Sequence, residues 1–189
     1  MPDKTYKSFG DMNPQGRGNP GPPQRGRQGG GGGYGRGQGD RRSSDLPEAY
    51  LADGYLDDKG HLRREIFIEW PEGVTDALTD FSAKPKASKN SMRAFYSMLR
   101  MAKTQFDAQR GDPAKAWGEA KTQLYKLRVA AEYQSTRKVI SPLCQKFLFR
   151  NIDTVLDRGK TSEEFAKNFN AFVEHFQAVI AYLPEKAER

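Results

Sequence analysis

Cations and an aromatic ring recur between residues 124 and 138 at a spacing that could serve phosphate binding. Four of these residues follow one another at steps of four, three and four: Lys126, Ala130, Tyr133 and Arg137. A helix would place them on one side, next to an apolar side formed by Leu124, Leu127 and Ala131. Ammonium and guanidinium groups beside a ring suit a phosphodiester backbone with unstacked bases. The alternative is a solvated helix surface whose cations only keep the protein soluble.

Charge is divided unevenly along the 189 residues, which carry a net charge of +7. Residues 1–45 have a net charge of +4, residues 46–83 of −6 and residues 84–189 of +9. A basic body with an acidic middle segment predicts a polyanionic partner. The acidic segment should then face away from that partner or contact another basic protein.

The composition excludes several other classes of protein. No apolar run approaches the span of a bilayer and no signal-peptide pattern is present, so we predict a cytoplasmic protein that does not bind membranes. The single cysteine, Cys144, excludes an internal disulfide framework and fits a reducing compartment.

Residues 1–45 form a tract rich in glycine, proline and arginine that differs from the rest of the chain. Its three aromatic residues offer too little apolar area to offset the ordering of so many glycines, so we predict a disordered arm. Such arms add nonspecific affinity for RNA, and a flexible linker would have a similar composition. Residues 46–189 are long enough for one folded domain.

The second half of the chain has the start and stop signals of helices with short connections. The starts are signalled by capping residues, two of them followed by proline: Ser88 or Ser91, Asp112-Pro113, Ser141-Pro142 and Thr161 with Glu164. The ends should lie at or next to four residues: Gly111, Val139, Gly159 and Leu183. The last helix carries phenylalanine at positions 165, 169, 172 and 176, which is typical of a core. These signals predict an all-α bundle of about five or six helices, with the last helix as the most buried one.

Residues 46–83 allow two interpretations. The alternation at 65–70 resembles a short strand, whereas Pro71 could open a helix that runs as far as Phe81. We favour the helix. The turn-rich stretch before it should pack three side chains onto the domain as an irregular segment: Tyr55, Leu56 and Leu62.

No pattern in the sequence predicts catalysis. His61 and His175 are far apart and belong to no metal-ligand spacing, and Cys144 has no base that spacing can supply. Asp57 and Asp58 lack a third carboxylate for Mg²⁺. The glycines of the arm lack the strand and helix of a phosphate-binding loop. We therefore predict that the chain is not an enzyme and holds no metal or other cofactor.

Four segments follow one another along the folded part in a specific order. They are Gly-Tyr-Leu-Asp at 54–57 with Gly-His-Leu-Arg at 60–63, the helix start at 89–96, the element at 127–137 and the phenylalanine-rich helix at 172–182. In this order they resemble the small subunit of the type III-A CRISPR effector, the Csm complex. The chain departs from the family pattern at Glu132, at Thr136 and in its long arm.

The resemblance implies a non-catalytic helical bundle within a ribonucleoprotein of antiviral defence. It would pack beside further copies of itself and beside the backbone subunits that hold the guide CRISPR RNA, in a complex with a large polymerase-like subunit, and would line the channel in which target RNA pairs. The residues that match the basic positions of the family and its aromatic are Arg93, Arg128, Arg137 and Tyr133. The helical wheel alone adds four lysines: Lys86, Lys89, Lys126 and Lys138. A subunit that serves every guide would contact phosphate and sugar rather than base edges.

Two other functions remain open from the sequence. A free-standing RNA-binding or RNA-chaperone protein would bind mainly through its Gly/Arg arm, with the bundle as a docking platform. A helix-turn-helix regulator of DNA is less well supported, because no helix is polar and rich in Asn, Gln and Arg.

Overall fold

The computed structural model describes residues 45–80, 84–85, 87–109 and 111–184. Five α-helices form there: α1 (Glu69–Thr79), α2 (Lys89–Ala108), α3 (Pro113–Thr136), α4 (Pro142–Arg158) and α5 (Ser162–Tyr182). A 3-10 helix, Arg64–Ile66, precedes α1, and an isolated antiparallel bridge joins Leu56 to Leu62. No β-strand occurs in the described residues, and the predicted all-α bundle is confirmed. The predicted arm, except for Asp45, lies outside the described residues, as does Phe81.

The helix starts follow the capping residues that the sequence signals. In each case a side-chain oxygen accepts a hydrogen bond from a backbone N–H of the first turn: Ser88 from Ser91, Asp112 from Lys115, Ser141 from Cys144 and Thr161 from Glu164. Pro113 and Pro142 lie in first turns, where a helix needs no N–H. The Glu164 carboxylate completes a capping box by accepting the Thr161 N–H at 3.0 Å. The predicted starts are confirmed, with Ser88 as the cap of α2.

Residues 65–70 do not form the strand that their alternation could indicate. The 3-10 helix buries Ile66, and α1 then begins at Glu69, ahead of Pro71. Val74 and Leu78 are fully buried on the inner side of α1. The favoured helix is therefore confirmed, although it starts earlier than the proline signal indicates.

The prediction that α3 extends through Val139 is wrong. α3 ends at Thr136, and Lys138 takes a left-handed conformation with φ 57°. The Val139 N–H donates to the Gln134 carbonyl at 2.9 Å, and the Lys138 N–H donates to the Ser135 carbonyl at 2.8 Å. This pair of hydrogen bonds is a Schellman motif, which closes a helix. Glycine usually occupies the left-handed position, and the lysine therefore conceals the helix end from the sequence.

α5 lies at the centre of the bundle and contacts each of the other four helices. Its four phenylalanines are fully buried: Phe165, Phe169, Phe172 and Phe176. α2 and α3 form an antiparallel pair, α4 packs on α3 and α5, and α1 packs on α5 and α4. In the described residues α1 contacts neither α2 nor α3, so that α4 and α5 separate α1 from α3. No helix of the described part is long and apolar enough to cross a membrane.

Residues 45–63, here called the strap, lie against α4 and α5. Three of their side chains are buried: Tyr50, Leu51 and Tyr55. Contrary to the prediction, Leu62 does not pack on the domain and is 41% exposed. Gly54 has φ 77°, and a Cβ there would lie 2.6 Å from the Arg158 side chain. The left-handed backbone therefore favours glycine here, whereas the Arg158 side chain is flexible and could move away from a Cβ.

Candidate nucleic-acid interface

Apolar packing fixes which side of α3 faces solvent. Leu124, Leu127 and Ala131 are buried, as the sequence predicts. Lys126 is exposed on the outer side, and Ala130 is half-buried between the two sides. The predicted division of α3 into an apolar side and a cationic side is confirmed.

Tyr133 and Arg137 form the best-defined part of the outer side of α3. Tyr133 is 59% exposed. The Cζ atom of Arg137 lies 5.3 Å from the Tyr133 ring centroid, and Nη1 donates to Tyr133 Oη at 3.2 Å. This contact restrains the guanidinium and leaves its other N–H groups available to acceptors. We define Lys126, Tyr133 and Arg137 as the α3 face.

Lys138 lies next to the α3 face, just beyond the end of the helix. Its side chain is exposed. Its left-handed backbone with φ 57° disfavours a residue with a Cβ by about 1 kcal/mol relative to glycine. Glycine would therefore be more stable than lysine at this position.

Arg128 lies on another side of α3, turned toward α4. It forms an ion pair with Asp153, and its Cζ atom lies 4.0 Å from the Phe149 ring centroid. On the same side, Glu132 accepts a hydrogen bond from Gln145 of α4. These contacts tie α3 to α4. Because the Arg128 side chain is 38% exposed, a phosphate could reach it but would compete with Asp153.

Lys89 and Arg93 lie on the same side of α2 as Tyr96, at steps of four and three residues. Tyr96, on this same side, donates its hydroxyl to a glutamine of α5 at 2.9 Å, whereas Gln109, on the opposite side, donates to a glutamate of α3. Arg93 is exposed and Lys89 is half-buried. The side of α2 next to α3 carries neither of them, so these cations are not continuous with the α3 face. Lys86 lies outside the described residues.

Two exposed residues beside the α3 face were not among the predicted site residues. Tyr125 is 52% exposed and Val129 is 68% exposed. With Tyr133 they recur at four-residue steps along α3. This spacing is the sequence signal that could have identified them. The ring of Tyr125 adds a second surface on which a base could stack.

The groups with catalytic potential are engaged in packing or exposed without partners for chemistry. Cys144 is fully buried, and burial raises the pKa of its thiol to about 12. Burial also lowers the pKa of His175 to about 4. His61 is exposed, and its Nδ1 lies 3.6 Å from the Asp57 carboxylate. Within the described residues, no group of three or more His, Cys, Asp or Glu could hold a metal ion.

His175 completes a chain of hydrogen bonds that joins the strap to α4 and α5. Nδ1 donates to the Ile66 carbonyl at 2.7 Å, and Nε2 accepts from the Tyr50 hydroxyl at 2.6 Å. Asn151 Nδ2 donates to Tyr50 Oη at 2.9 Å, and the Tyr55 hydroxyl donates to Asn151 Oδ1 at 2.8 Å. With a neutral imidazole every donor in the chain has an acceptor, which is the requirement for buried polar groups. The role of His175 is therefore structural.

A family model described as Csm2 Type III-A matches residues 74–186, more than half of the chain. The match begins inside α1 and contains all of α2 to α5, including the α3 face. The segments at 54–57 and 60–63 lie ahead of it. A search of curated proteins found no match, and a search of solved structures found none either.

Proposed function

Because the chain belongs to the type III-A Csm2 family, and is thus a small subunit of the type III-A CRISPR effector complex, we propose that it contacts the backbones of guide and target RNA without sequence preference and has no catalytic role. The observation that carries this proposal is the exposed α3 face. There two cations flank a tyrosine ring on a helix whose other side is locked into the core.

The α3 face suits the recognition of backbone rather than of base edges. Lys126 and Arg137 can donate to phosphate oxygens whatever the sequence, and the Tyr133 ring offers a stacking surface that every base can use. The contact between Tyr133 and Arg137 limits the freedom of the guanidinium before RNA binds, which reduces the entropy lost on binding. One copy neutralises few phosphates, so its affinity should be weak and strongly dependent on salt.

We further propose that the chain packs against further copies of itself and against the backbone subunits, in a cytoplasmic complex that contains the large polymerase-like subunit. Arg128, Lys89 and Arg93 lie on other sides of the bundle than the α3 face. In this proposal they serve a separate stretch of RNA backbone. Lys138 extends the α3 face itself.

The non-catalytic role is supported by the surroundings of the reactive side chains. The Cys144 thiol is buried with a raised pKa, which disfavours the thiolate that a nucleophile requires. The two nitrogens of His175 are both used in hydrogen bonds within the core. Neither group is available to a substrate at the surface.

The test removes two cations from the α3 face and compares this variant with one that loses two cations elsewhere. Lys126→Ala/Arg137→Ala should weaken binding to two single-stranded RNAs of unrelated sequence by the same factor. It should also reduce the slope of log affinity against log salt by about 1.4, at about 0.7 for each lost contact. The control Lys59→Ala/Lys160→Ala removes exposed lysines outside the α3 face and should bind like the parent.

Two results would contradict the proposal. Parental affinity and salt slope in the α3 variant would identify the α3 face as a solvated surface and would favour the alternative in which the Gly/Arg arm carries the affinity. A strong preference of the parent for one of the two RNA sequences would exclude recognition through the backbone alone.

A further inference from the structure

Arg128 is a cation of α3 whose charge is already balanced within the bundle. Its guanidinium forms an ion pair with Asp153 of α4, and its Cζ atom lies 4.0 Å from the Phe149 ring centroid. These two contacts hold the Arg128 side chain against α4. Lys126 and Arg137 of the α3 face, in contrast, form no ion pair within the described residues. The cations of α3 therefore differ in how readily a phosphate can bind them.

Arg128 borders the same exposed stripe of α3 as the α3 face does. This stripe consists of Tyr125, Val129 and Tyr133, which recur at four-residue steps on the solvent side. Lys126 precedes Val129 by three residues and lies at one margin of the stripe. Arg128 follows Tyr125 by three residues and lies at the opposite margin, because each step of three residues turns the same way around a helix. An RNA strand that crosses the stripe from the α3 face therefore comes next to Arg128.

We propose that Asp153 masks Arg128 from RNA, so that Arg128 binds phosphate only when a phosphate displaces the Asp153 carboxylate. The inference rests on the proposed function, because it concerns RNA that the α3 face already holds. The ion pair of Arg128 with Asp153 has no net charge and attracts a distant phosphate only weakly. A phosphate that comes close to Arg128 is also repelled by the Asp153 carboxylate.

The mask is reversible because both partners are in contact with water. The side chains of Arg128 and Asp153 are 38% and 46% exposed. Ion pairs with this degree of exposure are weak and are screened by salt, so a phosphate can compete with the carboxylate. RNA on the α3 face raises the effective concentration of phosphate beside Arg128. Arg128 should therefore bind after the α3 face, and only to RNA that reaches across the stripe.

The Phe149 ring should keep Arg128 in place when the carboxylate is absent. A guanidinium 4.0 Å from a ring centroid is attracted to the face of the ring whichever anion it also binds. Removal of the Asp153 charge should therefore leave the guanidinium beside α4, with its N–H groups available to phosphate.

The substitution Asp153→Asn tests the mask in the full chain, on a single-stranded RNA of about 16 nucleotides. It should add one phosphate contact and steepen the slope of log affinity against log salt by about 0.7. Because counterion release weakens as salt rises, this slope corresponds to about fivefold tighter binding at about 0.1 M salt and less than about twofold at about 0.5 M. Asp153→Glu keeps the carboxylate and should bind RNA like the parent.

Asp157→Asn is the matched control. It removes the same charge one turn later on α4, at an exposed position without an ion-pair partner in the described residues. Its RNA affinity should change by less than about twofold, because an unpaired carboxylate in water acts on RNA only through screened repulsion. The difference between the two variants measures the mask apart from the loss of one negative charge.

The gain in affinity must depend on Arg128. In the parent, Arg128→Gln should reduce RNA affinity by less than about threefold, since the guanidinium is already neutralised. In the Asp153→Asn background the same substitution should remove the whole gain and restore the parental salt slope. Urea unfolding of each variant shows whether its fold is retained.

Four results would overturn the mask. Parental affinity and salt slope in Asp153→Asn would show that the ion pair only joins α3 to α4. Weaker RNA binding by Asp153→Asn would show that Asp153 orients Arg128 for phosphate. A gain no larger than that of Asp157→Asn, or one that persists in the Arg128→Gln background, would show general repulsion. The proposed function fails on a different result, parental binding by Lys126→Ala/Arg137→Ala, so the two failures are distinguishable.

Discussion

Protonation of His175 should weaken the packing of the strap against the bundle, because only the neutral imidazole satisfies the buried hydrogen bonds. Nε2 accepts the Tyr50 hydroxyl, and Nδ1 donates to the Ile66 carbonyl. A proton on Nε2 would make this nitrogen a donor, and the hydroxyl proton of Tyr50 would lose its acceptor beside a buried charge. Burial lowers the pKa of His175 to about 4, although the hydrogen bond to Ile66 opposes this shift.

The magnitude follows from the pKa of His175 in the two states. In the unfolded chain the pKa of His175 has its ordinary value of 6.5, whereas in the folded chain it is lowered to about 4. Between these values the unfolded state holds more protons, so the free energy of unfolding falls as the pH is lowered from about 6.5 to about 4. At about 1.4 kcal/mol per pH unit, the whole loss is about 3 kcal/mol. Above about pH 7.5 His175 contributes no pH dependence, since it is neutral in both states.

Urea unfolding of three proteins between about pH 4.5 and 7.5 measures this loss. His175→Gln keeps one donor and one acceptor but cannot be protonated. When the pH is lowered from about 7.5 to about 4.5, the free energy of unfolding of the parent should fall by about 2 to 3 kcal/mol more than that of His175→Gln. His61→Gln removes the exposed histidine, leaves the buried hydrogen bonds of His175 in place and serves as the control. Asp45 and Glu163, whose pKa values are lowered by hydrogen bonds from lysine side chains, contribute equally to all three proteins and cancel in the differences.

Two results would refute this reasoning. One is a parent whose free energy of unfolding stays constant from about pH 7.5 to about 4.5. The other is a folded His175→Gln protein that shows the full parental slope. Either result would mean that protonation of the buried imidazole does not cause the pH dependence of the free energy of unfolding.

Two substitutions separate the core from the proposed RNA surface. Phe172→Ala removes a fully buried ring that stacks on a second α5 ring at 5.9 Å, and it should lower the free energy of unfolding by about 3 to 5 kcal/mol. An unchanged urea midpoint would contradict its place in the core. Lys138→Gly relieves a left-handed lysine, so it should raise the free energy of unfolding by about 1 kcal/mol while weakening RNA binding at low salt. A stabilised variant with parental RNA affinity would show that the Lys138 ammonium has no role in binding.

The helix boundaries that could be predicted are those that a few neighbouring residues determine. Ser88, Asp112 and Ser141 each accept a backbone N–H three residues later, and the sequence displays these pairs directly. The end of α3 could not be predicted, because Lys138 adopts a conformation that is usually marked by glycine. The early start of α1 likewise depends on the burial of Ile66 rather than on a capping residue.

The cationic side of α3 could be predicted, but the partners of individual cations could not. Steps of three and four residues determine which side chains share a side of a helix. The ion pair of Arg128 with Asp153, and the hydrogen bond of Tyr96 beside Arg93 to α5, depend instead on how the helices pack. The hydrogen bonds of His175 join it to residues more than a hundred positions earlier in the chain, where no local pattern signals a contact.

We expect the acidic middle segment to avoid a polyanion, and the packing of α1 supplies a physical reason why it would not disturb RNA at the proposed α3 face. α4 and α5 separate α1 from α3, and neighbouring helix axes lie about 8 to 10 Å apart. Two such spacings exceed the Debye length of about 8 Å at physiological ionic strength. Repulsion between RNA and the carboxylates of Glu72 and Asp76 is therefore largely screened. Charge changes at Glu72 or Asp76 should therefore leave RNA affinity nearly unchanged, whereas charge changes in the α3 face should reduce it.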